Sequence, residues 1–595
     1  MSESKQPSRD PGPESPIDHI PGVVPKPADA REFTLRAVIA GVIVAAIMGA
    51  SYPYVVLKLG FGPNVSVVAA FFGYLFLGIL FKNFNRWENN IVQTAGTSAA
   101  QTAFMCVILA AFDFLILQRG DAGITAPTTL ASFLWLTAAS VLGLLLAVPL
   151  RSHYIVDEKL TYADGVAAAE TIIVLDARGP DAKRAAKVLF GAAALSAVVW
   201  YLTTKWGNHA IPEVVWAGLF GLAAAPTTGA GVAVSLLSIG SGMIVGNRIN
   251  VSMAVGAVIS SIILPPILFD NGIIASLNRG DILLWVMWPG TGMLIAAGLT
   301  ALALKWRTLA RTFTRLRGAT IDSGEFPLKW VAIGSGLATV MLVIVQYVFF
   351  DLPIWATLIA VVLSVPLMLV GLRVLGETNW GPISQLTNMM QAIFAAAIPG
   401  NLTANLAASG TTGTIATQSE AIMQDYKAGH IIGSTPRFLT YSQLIAAPIG
   451  AAAVALSYPL FKETYGIGGD TGLASPISVR IAGFANVLAE GFSALPPYSL
   501  QALAVGAVVG IAITLLEINW KKFIPSATGL GIGMLVPAVY VFAMVLGGIL
   551  MSLWTRANKR SADTFAMPLA SGLIAGEAIM AIVIPVLIAV GLLSP

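Results

Sequence analysis

The sequence predicts an all-α integral membrane protein, a polytopic helical bundle of about sixteen transmembrane helices. Hydrophobic residues make up 56% of the 595-residue chain and charged residues only 11%. A soluble domain carries roughly 25% charged residues, so this chain lacks the polar surface that water requires. The mean hydropathy is +0.80. The apolar runs reach the length of about 20 residues that one spanning helix needs, which excludes an outer-membrane barrel of short alternating strands.

The chain begins with a polar segment and continues as a series of apolar runs. Residues 1–30 are rich in proline and lack the apolar core of a signal peptide, which indicates a disordered cytoplasmic tail. We expect an N-terminal transmembrane half over residues 31–304 and a C-terminal half over residues 330–595, joined by a basic amphipathic cytoplasmic connector over residues 305–329. The runs lie at roughly 34–59, 64–81, 95–117, 129–149, 188–203, 212–246, 249–269, 282–304, 330–350, 352–372, 385–399, 438–460, 500–516, 526–551 and 566–593.

The distribution of Lys and Arg predicts that the N-terminus is cytoplasmic. The connector over residues 150–187 carries six basic residues, whereas the connector before it carries only Arg119. An excess of Lys and Arg marks the cytoplasmic loops of a membrane protein. The predicted location is therefore the inner (cytoplasmic) membrane, with multiple crossings. The same rule accounts for the net charge of +4, so we expect no nucleic-acid partner.

Two segments, residues 223–246 and 396–418, combine a proline with Gly, Thr and Ser at a density that would break a spanning helix. Irregular backbone at membrane depth is tolerated only where protein or a watery cavity satisfies its polar groups. One broken or re-entrant segment in each half is typical of a repeat-built transporter whose substrate site lies at the breaks. For the first segment, small residues that simply allow close helix packing are an equal alternative.

Polar and acidic side chains in or beside the apolar runs are the candidate functional residues. Charged groups at membrane depth are costly, and they usually face a cavity. Shielding from water raises the pKa of a carboxyl group toward neutrality, as a proton carrier requires. The predicted proton-coupling residues are Glu88, Glu420, Glu490 and Glu577. The predicted substrate-binding residues are Asn89, Asn90, Gln93, Asn401, Asn405, Thr411, Thr412, Thr417 and Gln418.

Charged residues near the end of a run have a simpler interpretation, because they can lie at the membrane interface. Asp425 is such a residue, and we expect it to pair with Arg437 at the cytoplasmic edge. Motifs for a phosphate loop, a zinc site or a nucleophile elbow do not occur, which argues against ATP hydrolysis and against an enzyme. With a single cysteine, Cys106, and four scattered histidines, we expect no cofactor and no resident metal.

Four segments extend in order through nearly the whole membrane region: 88–98 (ENNIVQTAGTS), 155–165 (IVDEKLTYADG), 376–382 (GETNWGP) and 423–437 (MQDYKAGHIIGSTPR). They resemble motifs of the oligopeptide transporter (OPT) family. Gly381 departs from the family pattern, which tends to have Asn before the proline. The resemblance is closer to the prokaryotic branch related to yellow-stripe-like metal-chelate transporters than to the fungal peptide branch.

The resemblance implies a secondary transporter that imports short oligopeptides or peptide-like metal chelates, usually together with protons. Its expected partners are the substrate, protons and the lipid bilayer, and glycine-rich helix faces leave a homodimer open. A passive channel or facilitator, or an exporter of similar solutes, is the alternative. A channel would need a continuous polar stripe, whereas polarity here is concentrated in two segments.

Overall fold

The computed structural model describes residues 26–593, except for the segments 28–29, 60–64, 82–83, 120–123, 125, 177–179, 216–230, 305–324, 379–380, 469–471, 491–495, 521–522 and 590–591. Nearly all of the predicted N-terminal tail and most of the predicted basic connector lie outside the described residues. The predicted division into two halves serves below to name the two groups of helices.

The described part of the N-terminal half is almost entirely helical. Two short antiparallel strands, β1 (Val214–Val215) and β2 (Val232–Ala233), lie between its helices. A 3₁₀ turn and a π turn follow its fifth helix. The helices are α1 (Leu35–Leu59), α2 (Val65–Leu80), α3 (Arg86–Phe104), α4 (Cys106–Arg119), α5 (Thr129–Ala147), α6 (Ala163–Asp176), α7 (Pro180–Thr203), α8 (Leu236–Val245), α9 (Asn247–Val258), α10 (Leu264–Asp270) and α11 (Arg279–Leu304).

The C-terminal half consists of longer helices. Prolines lie inside three of them: Pro366 in one, Pro448 with Pro459 in a second, and Pro568 with Pro585 in a third. The helices are α12 (Leu328–Phe350), α13 (Ile354–Thr378), α14 (Ile383–Ala397), α15 (Leu402–Ile432), α16 (Pro436–Tyr465), α17 (Pro476–Glu490), α18 (Ser499–Trp520), α19 (Ala527–Leu535), α20 (Ala538–Ala557) and α21 (Lys559–Ala589).

Side-chain caps mark where several helices begin. Asn85, Thr128, Ser235, Asn401 and Ser526 each accept a hydrogen bond from the backbone N–H three residues further along the chain. The first N–H groups of a helix have no partner within the helix, so a polar side chain at this position satisfies one of them. These polar residues thus explain where α3, α5, α8, α15 and α19 begin.

Eleven helical stretches among the described residues are long and apolar enough to cross a membrane. The protein is therefore a polytopic all-helical membrane protein, as predicted. The predicted number of about sixteen crossings stays a prediction. α12 and α18 expose most of their apolar side chains, for example Leu337 and Val508, which are 66% and 65% exposed. Exposed apolar surface of this kind suits contact with lipid.

The second segment was predicted to be irregular, and this prediction was wrong, because most of the segment belongs to the helix α15. The chain is non-helical only over residues 398–401, and from Leu402 it forms one helix of 31 residues. All of it is buried except for parts of its last two turns. Because neighbouring helices surround it, its many Thr, Ser and Gln side chains find partners without a break in the backbone. In the first segment, residues 223–230 lie outside the described residues, and α8 begins only at Leu236.

Small residues let three helices approach closely beside α15. A Cβ atom on Gly450 of α16 would lie 2.6 Å from the Cα atom of Ala99 in α3. Gly49 of α1 lies against the same glycine, because its own Cβ would be 3.1 Å from the Cα atom of Gly450. Close backbone approach at small residues is the usual basis of helix association in membranes.

We predict that Gly450→Ala lowers the free energy of unfolding by about 1–3 kcal/mol, because the new methyl group meets backbone that cannot rotate away. Gly336→Ala is the matched control, since its Cβ atom would have no neighbour within 4 Å. That change should be neutral or stabilising by up to about 1 kcal/mol. Thermal unfolding of both purified variants in detergent measures the difference, and equal melting temperatures would contradict the packing described here.

Candidate functional site

A chain of buried hydrogen bonds joins α3, α15 and α16. The Nε2 atoms of Gln93 and Gln443 donate to the two carboxylate oxygens of Asp425 over 2.7 Å and 2.6 Å. Gln418 donates to the Oε1 atom of Gln443 over 2.9 Å and to the hydroxyl of Ser98 over 2.7 Å. All five residues are at most 1% exposed. We call Gln93, Ser98, Gln418, Asp425 and Gln443 the polar seam.

Helical spacing explains why these side chains meet. Gln418 and Asp425 are seven residues apart on α15, which places them on the same face two turns from each other. On α3, Gln93 donates to the hydroxyl of Thr97, one turn further, over 2.8 Å. A polar face of α3 therefore lies against the polar face of α15, and Gln93 and Ser98 hydrogen-bond across the contact.

The prediction for Asp425 was wrong. This carboxylate does not lie at the cytoplasmic edge beside Arg437, because it is fully buried and held by two amide donors. The guanidinium group of Arg437 instead lies over the ring of Phe438, 5.1 Å from its centroid. The polar residues of α3 and α16 thus replace the cation that the sequence suggested as the partner.

A cavity of about 170 Å³ lies beside the polar seam, and helices of both halves line it. We call it the seam cavity. Its walls are rich in hydroxyl, amide and carboxyl groups, which suit a polar ligand at membrane depth. The polar residues that line it are Tyr52, Ser66, Thr97, Gln101 and Asp164 from the N-terminal half and Glu420 and Gln424 from the C-terminal half.

Glu420 is the predicted proton-coupling residue that the structure places in the seam cavity. Its side chain is buried, and its Oε1 atom has no hydrogen-bond partner among the described residues. Two glycines make room for it, since a Cβ atom on Gly381 would lie 2.1 Å from Oε2 and one on Gly371 would lie 3.4 Å from Oε1. The departure from the family pattern at Gly381 is therefore what leaves space for this carboxyl group.

Two residues of the cavity wall, Asp164 and Gln424, were not predicted as site residues, although both lie in segments that resemble the family. The backbone N–H of Gly165 donates to the Oε1 atom of Gln424 over 2.8 Å, which ties α6 to α15. Asp164 lies in the first turn of α6, where the helix dipole favours a carboxylate. An acidic residue in the first turn of a helix, inside a segment that resembles the family, was the available signal.

None of the nine predicted substrate-binding residues lines the seam cavity, and most of them bond to neighbouring helices. Asn90 donates to Ser434 over 2.8 Å, and Asn405 donates to the carbonyl oxygen of Gln391 over 2.7 Å. The others serve as helix caps or as contacts between helices: Asn401 caps α15, Thr411 accepts from Trp135 and Gln346, Thr412 bonds to Ser364, Thr417 contacts Met105, and Asn89 lies against Gly73.

Glu88 is engaged at the start of α3. It forms a capping box with Asn85, and Arg36 donates to both of its carboxylate oxygens over 2.6 Å. Thr34 donates a further hydrogen bond of 2.6 Å. These donors and the capping box occupy both carboxylate oxygens, so the geometry favours a structural role for Glu88.

Glu577 forms its ion pair and hydrogen bonds in a different part of the molecule. Lys58 donates to it over 2.8 Å, and the hydroxyl of Ser235 and the backbone N–H of Leu237 complete its surroundings. It lines a second cavity of about 480 Å³ rather than the seam cavity. Glu490 ends α17, and its side chain lies outside the described residues.

A helical membrane protein with a polar cavity between its two halves has the architecture of a transporter. Residues 32–588 match the family of OPT oligopeptide transporter proteins, so the chain belongs to that family, as the four motifs predicted. Proteins of this family are transporters and not enzymes.

Curated relatives match over almost the whole length of both chains. The metal-nicotianamine transporter YSL1 of Arabidopsis thaliana is 25% identical, covering 95% of this chain and 92% of its own. The probable metal-nicotianamine transporter YSL6 of Oryza sativa subsp. japonica is 26% identical, with 94% and 92% covered. The iron-phytosiderophore transporter yellow stripe 1 of Zea mays is 26% identical, with 92% and 89% covered.

We predict that Gln443→Leu lowers the free energy of unfolding by about 1–3 kcal/mol, because it leaves one buried oxygen of Asp425 without a donor. Gln101→Leu is the matched control, since the Gln101 side chain lines the seam cavity and makes no hydrogen bond with the described residues. The melting temperatures of the two variants in detergent measure the effect. An equal change in both would mean that the polar seam adds nothing to stability.

Proposed function

We propose that this protein is a secondary active transporter that imports peptide-like metal chelates across the cytoplasmic membrane, driven by protons. Membership of the OPT family and the full-length similarity to metal-nicotianamine and iron-phytosiderophore transporters support this proposal. A peptide-like chelate is a polar molecule that carries several hydrogen-bonding groups. A site for them needs several polar groups from more than one helix.

The seam cavity is the observation that carries the proposal. It lies where helices of the two halves meet, and both halves contribute polar side chains to it. Its volume of about 170 Å³ is below the roughly 300–1,000 Å³ of a typical ligand site. A chelate therefore requires the helices around the cavity to move apart. Rocking of one half against the other around a fixed site is the usual basis of alternating access.

Glu420 supplies the proton step of the proposed mechanism. Its carboxyl group has no cation partner among the described residues, and one of its oxygens is free to face the cargo or a water molecule. Such a group is stable in its neutral form when buried and releases its proton when water reaches it. Loading from one side and release to the other would then couple the proton to the cargo.

We predict that Glu420→Gln abolishes accumulation driven by a proton gradient but leaves binding of the chelate. Glutamine keeps the size and polarity of the side chain and cannot exchange a proton. Coupling of about 1–3 kcal/mol corresponds to about 5- to 150-fold, so we expect gradient-driven uptake to fall about tenfold or more. Uptake of a metal–nicotianamine chelate into proteoliposomes, with and without an inward proton gradient, measures this. Glu463→Gln, at an exposed position near the end of α16, is the control.

Several outcomes of the uptake measurement would contradict the proposal. Equilibration of the chelate without accumulation would identify a facilitator. Accumulation of short peptides but not of chelates would assign the substrate to the other class that the family serves. Undiminished gradient-driven uptake in Glu420→Gln would show that Glu420 is not the proton-carrying residue. The substrate assignment would be unaffected.

A further inference from the structure

Four helices of the core, α11, α14, α15 and α17, carry buried polar atoms that have no hydrogen-bond partner among the described residues. In native proteins most buried polar groups are paired, so a concentration of unpaired ones points to a ligand or a solvated path. α14 contacts each of the other three helices. The atoms belong to the side chains of Trp288, Gln385, Asn388, Gln391, Asn405 and Arg480.

Arg480 is the exceptional member of this group. Its side chain lies in α17 and is 3% exposed, and its Nε and Nη2 atoms have no hydrogen-bond partner among the described residues. No ion pair involves it there either. By contrast, the buried Arg373 is paired with Glu158 over 2.8 Å. A buried charge without a counter-charge is among the most destabilising features a protein can retain, so its presence calls for a functional reason.

The residues next to Arg480 on α17 contact α14 and α11. Gln391 of α14 donates to the carbonyl oxygen of Ile481, the next residue, over 3.0 Å. Gly483 lies three residues after Arg480, on the same face of α17. A Cβ atom on Gly483 would lie 2.2 Å from the terminal methyl group of Met287 in α11. Arg480 therefore belongs to the part of α17 that packs against α14, the helix that carries unpaired amides.

We propose that Arg480 binds a carboxylate group of the transported chelate, and that the amides of Asn388 and Gln391 bind polar groups next to it. The guanidinium group presents a planar fork of N–H donors that matches a carboxylate and keeps its charge when buried. Asn388 offers both a donor and an acceptor, and Gln391 offers the acceptor Oε1. These groups suit an amino-acid-like segment that carries N–H groups beside its carboxylate. This inference rests on the proposed function, and Arg480 does not line the seam cavity.

A stability measurement separates this role from a structural one. Removing an unpaired buried charge does not orphan a partner, so Arg480→Gln should leave the melting temperature unchanged or raise it. Arg373→Gln is the matched control, because it removes the partner of the buried Glu158 and should lower the melting temperature. A fall in Arg480→Gln as large as in Arg373→Gln would mean that Arg480 holds the fold together, and it would overturn the inference.

Binding of a metal–nicotianamine chelate to the purified protein is the direct test. We expect the dissociation constant to rise at least tenfold in Arg480→Gln, and to rise less in Arg480→Lys, which keeps the positive charge. Equal affinity in wild type and Arg480→Gln would overturn the inference while leaving the proposed function intact. Absence of chelate binding and transport in the wild type would instead remove the proposed function.

Discussion

The polar seam between α3, α15 and α16 is the constraint on which the rest of the structure depends. α15 is 31 residues long and rich in Thr, Ser and Gln, a composition that lipid cannot accommodate. It therefore requires a surrounding shell of helices whose side chains satisfy it. Gln93 and Gln443, from α3 and α16, meet this requirement at Asp425. The apolar helices α12 and α18 then form part of the outer surface.

The same helix carries two carboxyl groups with different surroundings. Asp425 is clamped by two amides, whereas one oxygen of Glu420, a turn and a half away, has no partner among the described residues. Two acids whose environments differ this much can serve two different roles. Asp425 joins the two halves of the protein, and Glu420 faces the cavity between them. The acid that stabilises the packing and the acid proposed to carry the proton therefore lie on the same helix.

Composition and run length were enough to predict the class of protein and most of its helices. Local sequence could not predict the state of residues 402–418, because their Gly, Thr and Ser content suits an irregular segment as well as a buried helix. Only the side chains of the surrounding helices decide between the two. Asp425 was misassigned for the same reason, since its amide partners come from residues 93 and 443, distant in the chain.

Only part of the candidate site, likewise, could be predicted from the sequence. Glu420 was predictable because an acid inside an apolar region is costly and needs a reason. The same argument, applied to bases, would have found Arg480 within the apolar run of α17, and a polar stripe at positions 385, 388 and 391 would have marked α14. Glu88 and Glu577 are also acids beside or within apolar runs, but each is paired with a cation and hydrogen-bonded at the start of a helix. Which acids have partners is a property of the fold.

Protection of the seam cavity by cargo is the most direct test of the central claim. Cys106 is the only cysteine of the chain, so Cys106→Ala gives a cysteine-free background for a single Gln101→Cys substitution in the cavity wall. The account predicts that a water-soluble thiol reagent labels this cysteine and that a saturating metal–nicotianamine chelate slows the labelling. A single Glu463→Cys substitution outside the cavity should show no protection. The opposite result would be an unchanged labelling rate at Gln101→Cys in the presence of a chelate that the protein transports. It would mean that the cargo binds outside the seam cavity.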